Sequence, residues 1–331
     1  MFRVGFVGVK IYTTEAPDVG EPPPNYEELH VTELLKADLT RLQAHDRQVF
    51  DSVFSQHNGV AANLLRNFSN LFESGLVVSH KNGVHSRFRV FEYGGLFILS
   101  DWKGVKPDEV FRPWRAEVDV AVPFFLDRVC DKQVLDLGCG SGLYGIAAAA
   151  AGASAVLAVD ANPRALAAAR VNSRLNKTEN QLSFRESNLF DTVSGAFDVI
   201  LAGLPYRPTP PTLAGKVYAD GGRFGLDLIS RALHQGESYV RLGGEIRVCC
   251  MSLGDSRTTL VERHAADAFS SGSDWSVKAN QIGPAARFRD WWADNGEPGI
   301  AVAGWLDSLE DEGLTHFQRV CLSATRLGAK S

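Results

Sequence analysis

The stretch Val134-Leu135-Asp136-Leu137-Gly138-Cys139-Gly140-Ser141-Gly142 leaves few folds open to this chain. A short apolar run closes on an acid region, three glycines follow at alternate positions, and a helical pattern runs from Leu143 to Ala151. An apolar run bounded by turn residues reads as a buried strand. Glycine supplies the backbone conformations of a tight turn and lets the main chain approach a ligand with no Cβ in the way. The helix that follows points its first N–H groups at whatever the turn holds. Strand, glycine turn and helix together cradle a nucleotide. Gly140-Ser141-Gly142-Leu143-Tyr144-Gly145 also satisfies the G-x-G-x-x-G pattern of dinucleotide sites. Two features argue against that class. Asp136 would set negative charge near a pyrophosphate, and the turn begins earlier, at Gly138. An acid there suits a cationic ligand.

The same rhythm continues downstream. Val156 to Asp160, Leu182 to Ser187, Val199 to Leu204 and Glu245 to Ser252 read as strands. Pro163 to Asn176, Phe224 to Arg241 and Arg257 to Phe269 read as helices. Pro163 suits a first helical turn, where its missing N–H costs nothing. Trp275 to Ile282 and Phe317 to Thr325 add two strands around a helix near Gly304 to Asp311. Such alternation predicts an α/β fold, a mostly parallel Rossmann-like sheet with helices on both faces. Trp291-Trp292, Trp305 and Arg287-Phe288-Arg289 are expected to pack as core or over a sheet edge.

Before Pro107 the pattern differs. Pro22-Pro23-Pro24 excludes a helix there. Leu29, Leu34, Leu35, Leu39 and Leu42 make a helical stripe; after Asn58, Ala61, Leu64, Leu65, Phe68, Leu71 and Phe72 make a second. Gly75 sits where a left-handed cap is expected. Leu76 to His80 and Val84 to Tyr93 flank Lys81-Asn82-Gly83, a strong hairpin signal, and Leu96 to Ser100 is a third strand. The expected division is an N-terminal α+β substrate lid over residues 1–107 and a catalytic sheet over residues 108–331.

Asp136 to Gly142 resembles motif I of the class I S-adenosylmethionine-dependent methyltransferases, where the acid and glycine loop hold the amino-acid end of the cofactor. The resemblance implies S-adenosylmethionine contacts from Asp136, Gly138, Cys139, Gly140 and Gly142. Asp160 matches the ribose-binding acid, and Ala161-Asn162-Pro163 the segment beside the adenine. Asn188, followed by Leu189, matches the position toward the adenine amine, where the family usually carries Asp. Phe197 to Tyr206 resembles motif IV of the HemK/PrmC-type glutamine methyltransferases. Asp220-Gly221-Gly222-Arg223-Phe224-Gly225-Leu226-Asp227 resembles their glycine-rich entry into the next helix. Val110-Phe111-Arg112-Pro113 with Glu117 resembles their aromatic-Pro segment. The resemblance covers residues 108 to 255 and implies a seven-stranded class I methyltransferase sheet.

One motif departs from the subfamily, which has Asn-Pro-Pro-Tyr where this chain has Gly203-Leu204-Pro205-Tyr206. In the family that Asn accepts from a planar NH2, and a site that loses such an acceptor loses its selectivity. What remains is the Gly203 carbonyl, which also lines the cofactor, the Tyr206 ring, since aromatic faces attract cations, and Glu117. These three are the expected catalytic residues. The expected activity is S-adenosylmethionine-dependent methylation of a small-molecule acceptor. The departure also opens a cyclase reading, in which the cofactor's own amino group closes a ring and expels methylthioadenosine. Protein or RNA N-methylation and a non-catalytic cofactor-binding scaffold are further alternatives.

Charge and composition support that expectation. The 34 Lys+Arg and 39 Asp+Glu leave a formal −5, and no basic cluster marks the N-terminal unit. A protein that neutralises many phosphates usually carries a basic excess, so no nucleic acid is favoured. The eight histidines include no pair at metal spacing, so no metal is expected. Five cysteines, an odd number without Cys-x-x-Cys, fit reduced thiols in the cytoplasm. The apolar run ending at Val9 is cut by Lys10, and the alanine run Ile146 to Ala151 is far too short to span a bilayer. Neither a signal peptide nor a membrane is expected.

Overall fold

The computed structural model describes residues 25–102, 108–213, 216–270, 274–296 and 302–327. The prolines at 22–24, the apolar run to Val9 and the boundary at Pro107 lie outside them. After a 3-10 turn at Tyr26–Glu28 come three helices, α1 (Glu33–His45), α2 (Arg47–Phe54) and α3 (Ser69–Glu73). Thr32 starts α1 by accepting from the Leu35 N–H, and Leu35, Leu39 and Leu42 bury one face. Leu34, expected on that face, is 61% exposed. The second expected helix is not continuous. The chain passes through a 3-10 turn, Ala62–Leu64, and restarts as α3. The cause is remote: the buried Asp38 of α1 accepts from both the backbone N–H and the Nδ2 of Asn70.

Gly75 then takes the expected left-handed φ of +75°. The hairpin of β1 (Val77–His80) and β2 (Gly83–Ser86) closes over Lys81-Asn82. The expected long strand after it breaks at Arg87-Phe88. β3 (Arg89–Tyr93) and β4 (Leu96–Ser100) form a second hairpin instead, joined by Gly94-Gly95.

Beyond α4 (Arg115–Phe125) strands and helices alternate. They are β5 (Gln133–Leu137), α5 (Leu143–Ala150), β6 (Ala155–Asp160), α6 (Pro163–Leu175), β7 (Leu182–Glu186), β8 (Phe197–Ala202), α7 (Asp227–Gly236), β9 (Val240–Gly254), α8 (Leu260–Ala268), β10 (Trp275–Arg287), α9 (Phe288–Asn295), α10 (Ala303–Asp311) and β11 (His316–Arg326). They build a seven-stranded sheet in the order β10-β11-β9-β8-β5-β6-β7. The pairs among β5 to β9 are parallel, and β11 runs antiparallel between β9 and β10. Leu135, Leu137, Ile200, Leu201 and Ala202 are fully buried, as strands covered on both faces require. The helix α9 was not expected. Its Phe288 and Trp292 join Trp305 and Phe317 in a buried cluster over the antiparallel strands, so these aromatics are core, as expected. No helix among the described residues is long and apolar enough to cross a membrane.

The N-terminal unit is fastened to α6. Asn172 accepts from the Leu99 N–H at 2.8 Å and donates to the Leu99 carbonyl at 2.9 Å. One turn later, Asn176 accepts from the Phe97 N–H at 3.0 Å and donates to the Phe97 carbonyl at 2.8 Å. Two side-chain amides thus meet the outer edge of β4 where a neighbouring strand would. Ala168, Val171 and Leu175 of α6 bury their side chains with Leu39, Phe50 and Leu99 in one apolar cluster.

Strand order reverses at β5, with β6 and β7 on one side and β8 and β9 on the other. Open α/β sheets bind ligands at such a switch point, beyond the carboxyl ends of the strands. Asp136, Asp160 and Gly203 lie at or just past the ends of β5, β6 and β8.

Candidate functional site

The glycine turn is tied to β6 by the Gly138 and Cys139 N–H groups, which both donate to the Val159 carbonyl at 2.9 Å. Gly138 is packed against Leu204, and Gly142 begins α5 against Ala169. Gly140 is different. Its φ is +53°, and a Cβ there would meet no atom within 4 Å. Its missing side chain leaves open space for a ligand. Cys139 turns its thiol into a small buried cluster with Ala158, Leu166 and Ala169. Its expected cofactor contact is therefore not a side-chain contact.

Asp136 is fully buried. Its Oδ2 accepts from the Gly145 N–H at 2.8 Å, while its Oδ1 is buried without a partner. Burial pushes the carboxyl up to about 7, Asp160 adds to the rise, and the Gly145 N–H opposes it. Asp160 accepts from the Gly140 N–H and the Asn162 N–H, each at 2.8 Å. Burial raises its carboxyl too, against the pull of these N–H groups. Asp160 thus holds the open Gly140, and Asp136 holds the first turn of α5 that follows it. An ammonium group beside Asp136 Oδ1 would satisfy that oxygen and favour the ionised carboxylate. The amino-acid end of S-adenosylmethionine carries such a group, so these residues fit the cofactor.

The adenine-side expectations divide. Asn162 spends its side chain on structure, accepting from the Arg164 N–H to cap α6 and donating to the Asp108 carbonyl. Ala161 is exposed beside it. Asn188 is exposed past the end of β7, while its carbonyl accepts from the Asp191 N–H in a turn. Leu189 has a φ of +53° and buries its side chain in the main core, so its backbone is what it can present.

At the end of β8 the structure joins two of the three expected catalytic residues, and the third, Gly203, lies against Tyr144. Tyr206 donates its hydroxyl to Glu117 Oε2 at 2.9 Å, joining residues 89 positions apart. Burial raises the Glu117 carboxyl, opposed by Tyr206 and by Arg319 of β11. The same Arg319 donates to the Ala116 carbonyl, so β11 braces the start of α4. The two glycine-bearing segments singled out from the sequence are laced together. Arg207 donates its N–H to the Ala219 carbonyl, Gly221 returns one to Arg207, and Gly225 leaves no room for a Cβ against the Tyr206 carbonyl.

One residue here was missed by sequence reasoning. The Tyr144 ring stands beside Gly203, in edge contact with Phe125 at 4.7 Å. A Cβ on Gly203 would lie 2.7 Å from Tyr144 Cε2. The absent Asn of motif IV was the available signal, because a missing side chain raises the question of what fills its space.

A family model of the ribosomal protein L11 methyltransferases matches residues 125–205. A Methanocaldococcus jannaschii protein described as a "putative protein N5-glutamine methyltransferase" is 36% identical over 156 residues, 46% of this chain and 77% of that protein. The ribosomal protein L11 methyltransferase of Bacillus velezensis is 41% identical over 81 residues, 24% of this chain and 26% of its own length. A Pyrococcus horikoshii structure described as a "putative transferase" shares the fold, with TM-score 0.50, 12% identity, and coverage of 89% of this chain and all of that one. These relatives overturn the expectation of a small-molecule acceptor, since both curated ones are named for protein substrates. The error lay in reading the −5 charge too widely: it argues against polyphosphate partners and is silent on protein ones. The seven-stranded sheet and the 36% identity to a Methanocaldococcus jannaschii protein, 77% of which is covered, place this chain in the class I S-adenosylmethionine-dependent methyltransferase family.

Proposed function

We propose that this enzyme methylates a protein. The observation that carries the reading is the Tyr206–Glu117 pair just past the end of β8, one strand from the Asp136 turn. The protein acceptors named for both curated relatives support it. Bound S-adenosylmethionine supplies an electrophilic methyl group on a sulfonium. The chain's own residues do the rest. Asp136 holds the ammonium end through its unpartnered oxygen. Asp160 accepts from the ribose hydroxyls with the lone pairs its backbone N–H donors leave free. Gly140 gives the backbone room, and the exposed Asn188, the Leu189 backbone and the Ala161-Asn162 backbone border the adenine. Tyr206, Glu117 and the Gly203 carbonyl face the acceptor. Positioning of this kind supplies much of the acceleration in a displacement between two bound partners.

The division near residue 107 belongs to the same proposal. Asp101 pairs with Arg164 at the start of α6 and accepts from the Val110 N–H at 2.8 Å. Arg89 of β3 donates to the Pro113 carbonyl at 3.0 Å. The N-terminal unit therefore holds the segment leading into α4 and Glu117, and we assign it the role of acceptor-side lid. The test is transfer of a tritiated methyl group from S-adenosylmethionine into a cell extract. Label that survives ribonuclease and is lost on protease treatment is expected. Label removed by ribonuclease, or methylthioadenosine formed with no extract present, would overturn the reading.

A further inference from the structure

We propose that Tyr144 sets acceptor specificity, selecting a protein amine over a planar amide; this rests on the protein-acceptor reading above. Gly203 directly follows β8, the strand beside β5, and any side chain there would drive a Cβ to 2.7 Å from Tyr144 Cε2 and 3.1 Å from Cδ2. Cβ atoms do not approach that closely, so residue 203 stays bare while the ring holds its place. The ring is held from behind by Phe125, edge-on at 75°. Volume that an amide-binding side chain would need is filled by an aromatic ring.

Charge points the same way. The Tyr144 phenol lies within electrostatic reach of Glu117, Tyr206 and Asp136, and burial beside those groups keeps it protonated. Two tyrosines and one carboxylate are therefore gathered at the end of β8. A planar amide NH2 needs two acceptors in its plane, and the side chain that would supply one is absent. An ammonium group needs a negative charge and gains from aromatic faces. Glu117 and the two rings supply both. The ammonium gives up one proton to Glu117. The freed lone pair then forms the N–C bond as the methyl–sulfur bond breaks, its electron pair returning to sulfur, which leaves as a neutral thioether.

Hot acid hydrolysis separates the outcomes. A methyl group on an amine stays on a nonvolatile amino acid, whereas one on a side-chain amide is released as methylammonium, which distils off as methylamine once the hydrolysate is made alkaline. Ribonuclease-treated protein extract labelled from tritiated S-adenosylmethionine should keep its label in the nonvolatile fraction. Volatile label overturns the assignment while leaving the protein-acceptor reading intact. Absence of protein label overturns both. Gly203→Asn should lower kcat/KM by about tenfold or more, because the ring opposes it. Combined with Tyr144→Ala, the same substitution should move label into the volatile fraction. Tyr144→Phe, which keeps the ring, should leave the hydrolysis pattern unchanged. A Gly203→Asn enzyme with unaltered kcat/KM would also overturn the proposal.

Discussion

Asp136→Asn should stabilise the cofactor-free protein at alkaline pH while weakening its hold on S-adenosylmethionine. The magnitude follows from the environment of the carboxyl. Burial raises its pKa from 3.8 to about 7. A shift of about three units corresponds to about 4 kcal/mol between its protonation states. The sign is set by linkage. A carboxyl whose folded pKa lies above its unfolded one binds more protons in the folded state. Stability therefore falls as pH rises from about 4 to about 7, and levels off above. Asparagine carries no charge to desolvate, and its Oδ1 can still accept from Gly145. Its amide protons replace the orphaned Oδ1, and an unmet buried donor costs about 1–3 kcal/mol. The net gain over the parent at pH 8 is then about 1–3 kcal/mol, shrinking to nothing or reversing near pH 5. Urea unfolding of both proteins from pH 5 to pH 8 measures this difference, and calorimetry with S-adenosylmethionine measures the affinity. A stability difference that stays flat with pH would refute the raised carboxyl. Equal affinity in the variant would refute contact with the ammonium end.

The fastening of the N-terminal unit makes a second prediction: Asn172→Ala strands the Leu99 N–H and carbonyl and the Ser141 carbonyl, all buried, and should cost about 3–5 kcal/mol in urea unfolding. A loss under about 1 kcal/mol would mean β4 is not held by that amide. Glu117→Gln should lower kcat by about a hundredfold with little change in cofactor affinity, as expected for loss of a proton acceptor; an unchanged kcat in single-turnover assays would contradict its placement. Gly140→Ala should weaken cofactor binding in calorimetry and lower the melting temperature only by the strain of an alanine at φ +53°, because its Cβ meets open space. Gly142→Ala, with its Cβ 2.9 Å from Ala169, should lower the melting temperature more. The reverse pattern would contradict the assignment of open space at 140.

The sheet and its glycine turn were legible because their signals are local. An apolar strand, an acid and alternating glycines are contiguous, and Asn82-Gly83 closes its own hairpin. The broken second helix was not legible. Its stripe of apolar residues is regular, but the start of α3 is fixed by Asp38, some thirty residues upstream and on another helix. The docking of the two units had an unused signal. Asn172 and Asn176 interrupt the apolar face of α6 at i, i+4 spacing, and buried amides on one helix face must find partners. Glu117 and Tyr206 were each nominated by the resemblance of a separate motif, but nothing in the sequence pairs them; their 2.9 Å contact joins residues 89 positions apart. Tyr144 was hidden inside the motif that drew most notice. Its importance comes from the neighbour it excludes, and that neighbour is 59 positions away.

The most direct test of the site is a crystal structure of the protein with S-adenosylhomocysteine bound. The ligand's ammonium group should lie on Asp136 Oδ1, its ribose hydroxyls on Asp160, and its sulfur should turn toward Tyr144, Tyr206 and Glu117. A ligand seated elsewhere, or one whose sulfur faces away from the Tyr206–Glu117 pair, would contradict this placement.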